Sequence, residues 1–216
     1  MISSRGFDFS EAKMERIKVH IDNPEKRAVD KAVSVIESGG IALLPGDTSY
    51  LLAAKIGKKS ALEKLNRIKQ TKKQKFYSII FKDLSDISRY ADIDNRHFSL
   101  LKRCLPGAYT FILSASREIP KIMLENRKEI GIRIPESRFI STLLEEIGEP
   151  LVVSTASSEN GEEFCDPDED SPDWLGFVDL LVDGGYIASD QTTIVRLNGD
   201  EYEIVREGKG SVDIFQ

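Results

Sequence analysis

Nine side chains in this sequence are of types that handle phosphate and carboxylate groups without a histidine. They are the hydroxyls of Thr48, Thr110, Ser154, Thr155 and Ser157 and the cations Lys69, Lys75, Arg133 and Arg206. Each falls at the end of an apolar run or directly behind a helical stretch. Hydroxyls fix carboxylates and phosphates by hydrogen bonding, and lysine and arginine stabilise charge developing on a phosphoryl group. Such a set serves a reaction that is positioning plus electrostatics, as nucleotidyl transfer largely is. Other chemistries lack their parts. The sequence has no Gly-x4-Gly-Lys-Ser/Thr loop and no Gly-x-Gly-x-x-Gly turn. His20 and His97 are its only histidines, neither with a metal-ligand neighbour, and no Gly-x-Ser-x-Gly elbow is present. Cys104, inside an apolar helical stretch, reads as a core residue. Residue types and spacing alone reach a generic polyanion site.

The elements that must position these groups are organised around Gly39 to Leu51. Ile41 to Leu44 form an unbroken apolar run, suited to a strand covered on both faces. Pro45 and Gly46 stop it, and Asp47, Thr48, Ser49 and Tyr50 follow at the strand's carboxyl end, where open α/β sheets bind ligands. Upstream, Asn23 as cap, Pro24 at the first helical position and Gly39 at the end bracket a stripe of Ala28, Val29, Ala32, Val33, Val35 and Ile36. Leu51 to Ile56 is apolar but fits either a strand or a helix. Ser60 and Glu63 form a capping box for a helix running to about Lys69. Four lysines then occur in the seven residues Lys69 to Lys75, by default a solvated loop but placed to serve a phosphate chain.

Strands are expected at Tyr77–Phe81, Tyr109–Ala115, Glu129–Pro135, Leu151–Val153 and Phe177–Val182, and helices at Asp83–Tyr90, Asp94–Cys104 and Ser137–Ile147. Leu151–Val153 runs into Ser154–Ser158, repeating the opening pattern of apolar strand and hydroxyl cluster; two such clusters suggest one shared pocket. Glu159–Asp173 is an acidic loop that would repel a polyphosphate. Thr192–Leu197, Asn198-Gly199 and Glu201–Arg206 form a hairpin, since Asn-Gly matches strand twist. The reading is a single α/β domain with five to seven strands in a mixed sheet, at residues 19–216, behind a polar extension at 1–18 in which Met14 is an alternative start.

Composition bounds the class. At 216 residues, 40% apolar and 31% charged, the chain is ordinary for a soluble globular protein. A net charge of −6 gives no reason for a broad nucleic-acid surface. Cys104 and Cys165 lie far apart without metal-ligand spacing, which points to a reducing, cytoplasmic compartment. No apolar run approaches the ~20 residues of a membrane span, and the start lacks a secretory core. No membrane partner is expected.

In order along the chain, Pro45-Gly46-Asp47-Thr48-Ser49-Tyr50, Lys69-Gln70-Thr71 with Lys75, Pro106-Gly107-x-Tyr109-Thr110, Gly131-x-Arg133-x-Pro135, Thr192-Thr193-Ile194-Val195 and Arg206-x-Gly208 resemble the motifs of the YrdC/YciO family. That family includes threonylcarbamoyl-AMP synthases of tRNA modification, and the resemblance runs from about Val19 to Gly210. It implies a twisted open α/β sheet flanked by helices. It also implies a nucleotidyl transfer joining L-threonine, bicarbonate and ATP, with Mg2+, to give threonylcarbamoyl-AMP and pyrophosphate. On the matching positions, Lys69 and Arg206 are the catalytic pair and, with Lys75, hold the phosphates. Ser154, Thr155 and Ser157 meet the nucleotide; Asp47, Thr48, Tyr50, Thr110 and Arg133 line the threonine or carbamate side. The sequence departs from the family pattern at Gly46 for a threonine, at Thr71 for the arginine of Lys-x-Arg, and at Ser158 for the asparagine of Ser-x-Asn. These departures place it nearer the YciO-like branch. They also keep a second expectation open, a non-catalytic relative that binds a nucleotide, double-stranded RNA or tRNA in translation or ribosome assembly.

Overall fold

Short apolar runs that alternate with amphipathic segments build a layered sheet here. The structure is a computed structural model that describes residues 14–69, 77–124, 128–158, 160–199 and 201–215. Among these, the strands are β1 (Glu15–Lys18), β2 (Ala42–Pro45), β3 (Tyr50–Lys55), β4 (Ser78–Ile80), β5 (Tyr109–Ser114), β6 (Glu129–Arg133), β7 (Leu151–Thr155), β8 (Leu180–Asp183), β9 (Thr193–Asn198) and β10 (Glu201–Arg206). The helices are α1 (Lys26–Ser38), α2 (Lys59–Ile68), α3 (Ile87–Tyr90), α4 (Asn95–Cys104), α5 (Lys121–Leu124) and α6 (Arg138–Ile147). All ten strands join one open sheet in the order β1-β8-β2-β3-β7-β4-β6-β5-β9-β10. It is mixed: β1/β8, β8/β2, β4/β6 and β5/β9 run parallel and the other neighbours antiparallel. The chain is thus one α/β domain, as its pattern implies. No helix among the described residues is long and apolar enough to cross a membrane.

The two faces are covered unequally. On one, α2 and α4 bury Leu62, Leu65, Leu101 and Cys104 against Leu52, Phe111, Ile132, Val152 and Val195, so the packed layer extends across most of the sheet. On the other, α1 and α6 bury Val29, Ala32, Ile36, Phe139, Leu143 and Leu144 against β8, β2, β3, β7 and the end of β4. The strand residues of this second cluster include none from β6, β5, β9 or β10. Among the described residues, neither α1 nor α6 covers those four strands on that face.

Several local expectations are corrected. The strand count exceeds five to seven, partly because Glu15–Lys18, assigned to the extension, pairs with β8. With Ile17 as its one apolar residue the segment has no strand period. It is held instead by ladder bonds and by Arg16, whose Nη2 donates to Asp183 at 2.8 Å. Residues 1–13 lie outside the described part. Helix α1 begins two residues later than Pro24 suggests, because Asn23 sits in a tight turn and donates its N–H to His20 Nδ1 at 3.2 Å. No capping box starts α2: Lys58 holds the cap position and Ser60 is already inside the helix. Asp83 caps a turn through the Ser85 N–H at 2.8 Å, which leaves only Ile87–Tyr90 helical. Phe177 ends a 3-10 turn from Asp173, and the strand starts at Leu180.

Candidate functional site

The cavity of interest lies where the helical layer stops. It has a volume of about 490 Å³, and its floor is the uncovered face of β6, β5 and β9, with β7 and α5 at its sides. Gly131 in β6 keeps that floor low, since a Cβ there would stand 2.5 Å from Ser78 Oγ.

Arg133 follows Gly131 by two residues, so strand alternation turns it to the same face. It is 5% exposed. Its Nη2 donates to Asp47 Oδ1 at 2.7 Å and to Thr48 Oγ1 at 3.3 Å, while Asp47 Oδ2 accepts the Glu136 N–H at 3.1 Å. The buried Nε has no partner among the described residues. Burial pushes the guanidinium's pKa down and the Asp47 carboxylate pushes it back up; an arginine in this balance stays charged. The turn after β2 therefore acts as counter-charge to a cation in the cavity wall.

Lys69 closes the end of α2, where the helix's carbonyl end favours a cation. Its Nζ donates to Thr155 O at 2.9 Å and to Ser157 Oγ at 2.8 Å. Burial lowers its pKa, partly offset by the charge of Glu163. Arg206 arrives from the opposite side of the cavity. Its Nε and Nη2 donate to Thr192 O at 3.1 and 2.9 Å, and the Thr192 hydroxyl meets that of Thr110 at 2.9 Å. Burial lowers the Arg206 pKa, Glu163 raises it and Arg133 lowers it further, which marks the three charges as neighbours across one space.

A one-residue irregularity puts Arg206 there. Ile204 pairs with Val195, but Arg206 pairs with Ile194, so Val205 is the extra residue of a bulge. In unbroken register Arg206 would lie opposite Thr193, on the packed face. Behind it Gly208 crosses the chain so closely that a Cβ would lie 2.3 Å from Gln191 O.

Of the residues singled out from sequence, Lys69, Thr110, Arg133, Ser154, Thr155, Ser157 and Arg206 line this cavity. Asp47 and Thr48 stand behind Arg133. Tyr50 is a correction: it belongs to the packed face opposite Leu51, and its hydroxyl donates to Gly185 O at 2.8 Å and accepts the Gly184 N–H at 3.0 Å. It anchors a loop. Lys75 and Thr71 lie outside the described residues. The acidic segment is closer than its charge suggests, because Gly161 borders the cavity and a bridge between Ser157 and Glu163 returns the chain to its mouth. Thr192 and Glu163 were missed; Thr192 was visible only as part of a matching motif, and nothing in the acidic run marks Glu163. Among the described residues no three metal-ligating side chains gather. The site is a cationic, hydroxyl-lined trough without a histidine.

Comparison with known proteins gives this trough a context. The Sua5_yciO_yrdC family profile, described as "Telomere recombination", matches residues 34–208. YciO of Escherichia coli strain K12, an uncharacterized protein, is 40% identical over 200 residues, covering 91% of this chain and 97% of its own. A crystal structure of E. coli YciO superimposes with a TM-score of 0.88 at 36% identity, covering 94% of this chain and all of that one. The threonylcarbamoyl-AMP synthase of Bos taurus is 30% identical over 197 residues, covering 87% of this chain and 68% of its own. Sua5 of P. abyssi, crystallised with L-threonine, shares the fold with a TM-score of 0.82 at 20% identity, over 89% of this chain and 57% of that one.

Proposed function

The chain belongs to the Sua5/YciO/YrdC family, and from that premise we propose that it is a threonylcarbamoyl-AMP synthase-like nucleotidyltransferase acting on ATP, L-threonine and bicarbonate. The observation that carries the reading is the convergence of Lys69, Arg133 and Arg206 on one cavity, with the Arg133 Nε buried and unpartnered among the described residues. In this reading the threonine amine and bicarbonate give an N-carboxylate with loss of water. A carboxylate oxygen then attacks the α-phosphorus of ATP, the bond from that phosphorus to the bridging oxygen breaks, and pyrophosphate leaves with the electron pair. Lys69 and Arg206 hold the phosphates and stabilise the charge that builds on the leaving oxygens. Arg133, fixed by Asp47 and Thr48, points its spare N–H at a carboxylate. The hydroxyls of Thr155 and Ser157, beside Lys69, and of Thr110, beside Thr192, orient the ligand. Mg2+ fits only as a companion of the triphosphate, since no protein cage for it exists among the described residues, and no step is assigned to it.

The test is pyrophosphate release from purified protein given ATP, magnesium, L-threonine and bicarbonate, with each omitted in turn and Lys69→Ala run in parallel. Release that requires threonine and bicarbonate, and falls about 100-fold in the variant, is the expected result. Absence of release from the wild-type protein, or release indifferent to threonine, overturns the assignment.

A further inference from the structure

The far end of the same cavity holds a pair of charges that the mechanism above does not use. Glu129 and Arg196 both line it, and Arg196 Nε forms an ion pair with Glu129 Oε1 at 3.2 Å while its Nη1 donates to Glu203 Oε2 at 2.7 Å. The pair reaches over β5, since Glu129 lies on β6 and Arg196 on β9 opposite Ile112. Nη2 of Arg196 has no partner among the described residues, and the two side chains keep 25% and 34% exposure. We propose that Glu129 and Arg196 read the base of the nucleotide, and that the edge they fit is adenine's. The proposal rests on the cavity being a nucleotide site.

Length, surroundings and chemistry point the same way. Glu129 and Arg133 lie four residues apart on one face of β6, roughly 13 Å at ~3.3 Å per residue. That is of the order of the distance from the phosphates to the base in an extended nucleoside triphosphate. Between the two charged ends the lining turns apolar, with Ile112, Ile194 and Val205 from the strands and Met123 from α5, as the faces of a base ring require. At the end, a carboxylate that only accepts stands beside a guanidinium that only donates. Adenine offers a donor, its exocyclic amine, beside an acceptor, its ring N1. Hypoxanthine puts a carbonyl and a ring N–H at the same positions, so both contacts become mismatches. With the triphosphate fixed at the other end the base cannot turn over to repair them.

The test is calorimetric titration of the wild-type protein, Arg196→Met and Glu129→Gln with ATP, inosine triphosphate and inorganic tripolyphosphate. Wild type is expected to prefer ATP to inosine triphosphate by about tenfold. Arg196→Met is expected to lose about tenfold in ATP affinity while tripolyphosphate binding stays within about twofold. Glu129→Gln is expected to erase the preference for ATP over inosine triphosphate, and Arg196→Lys, which keeps the charge but not the fork, to recover only part of the ATP affinity. Parallel loss of ATP and tripolyphosphate would show that the pair only braces the sheet, and unchanged ATP affinity would show that it does not touch the base; either overturns the proposal. If the wild type binds tripolyphosphate as tightly as ATP, only the base assignment falls. If it binds neither, the nucleotide reading of the cavity falls too.

Discussion

Replacing Asp47 by alanine isolates the largest electrostatic commitment in the site. The Asp47–Arg133 pair is 2.7 Å apart, with 7% and 6% of the side chains exposed. Thr48, at 3.3 Å, gives the guanidinium only a long neutral contact. Removing the carboxylate leaves a buried charge uncompensated and frees the Glu136 N–H as well. Breaking a buried pair from one side costs about 3–5 kcal/mol, which for a chain of 216 residues lowers the melting temperature by roughly 6–20 °C. Urea unfolding followed by circular dichroism at pH 7 measures it. Two further arms give the number a cause. Pyrophosphate is expected to stabilise Asp47→Ala more than the wild type, because it supplies the missing anion. The double variant Asp47→Ala/Arg133→Met is expected to regain most of the loss, since it has no charge left to desolvate. A single variant within about 1 kcal/mol of the wild type, or a double variant worse than the single, would refute the view that Asp47 is the counter-charge of a buried cation.

Anion binding should weaken on the alkaline side earlier than an ordinary lysine allows. Burial holds Lys69 below its usual 10.5, so it begins to lose its charge at a lower pH than an ordinary lysine; pyrophosphate titrations from pH 7 to 10 should show the fall in the wild type and less of it in Lys69→Arg, which stays charged. Gly208→Ala forces a Cβ within 2.3 Å of Gln191 O and 2.6 Å of the Thr192 carbonyl carbon. It should cost about 1–3 kcal/mol in denaturant unfolding and lower anion affinity together with it, because Thr192 is what Arg206 holds. Tyr50→Phe removes the partner of both the Gly184 N–H and Gly185 O and should cost about 1–3 kcal/mol of stability, while leaving the KM for threonine unchanged; a raised KM would return Tyr50 to the substrate side.

Some strong local signals carried over from sequence to structure, although the Ser60–Glu63 capping box and the Asn23-Pro24 helix start did not. Gly39 and Gly148 end their helices in the left-handed region, and Asn198-Gly199 turns the hairpin. Of the polar groups seen at strand ends, Thr110, Ser154, Thr155, Ser157 and Arg206 share a cavity, while the cluster after β2 does not line it. Other failures depended on distant partners. Glu15–Lys18 is a strand only because β8 offers a free edge. Asp47 and Thr48 look like ligand-binding side chains in the sequence, but β6 brings Arg133 onto them first. Tyr50 fell to parity: one step along β3 separates the cavity face from the packed face.

The bulge at Val205 makes the site sensitive to a kind of mutation that hardly matters elsewhere on the surface. Val205 is 42% exposed, so many side chains fit its position. What Arg206 pairs with is another matter. Deleting Val205 would leave Ile204 opposite Val195 and bring Arg206 opposite Ile194 by regular alternation, whereas pairing Val205 itself with Ile194 would send Arg206 opposite Thr193, to the packed face. One residue lost from this strand is therefore absorbed by losing the bulge, while one residue gained, with the bulge kept, turns the cation out of the cavity. The hairpin tolerates variation in spelling and the loss of its extra residue but not a further gain in length, and a lineage that lost the arginine's function need show no substitution at the arginine itself.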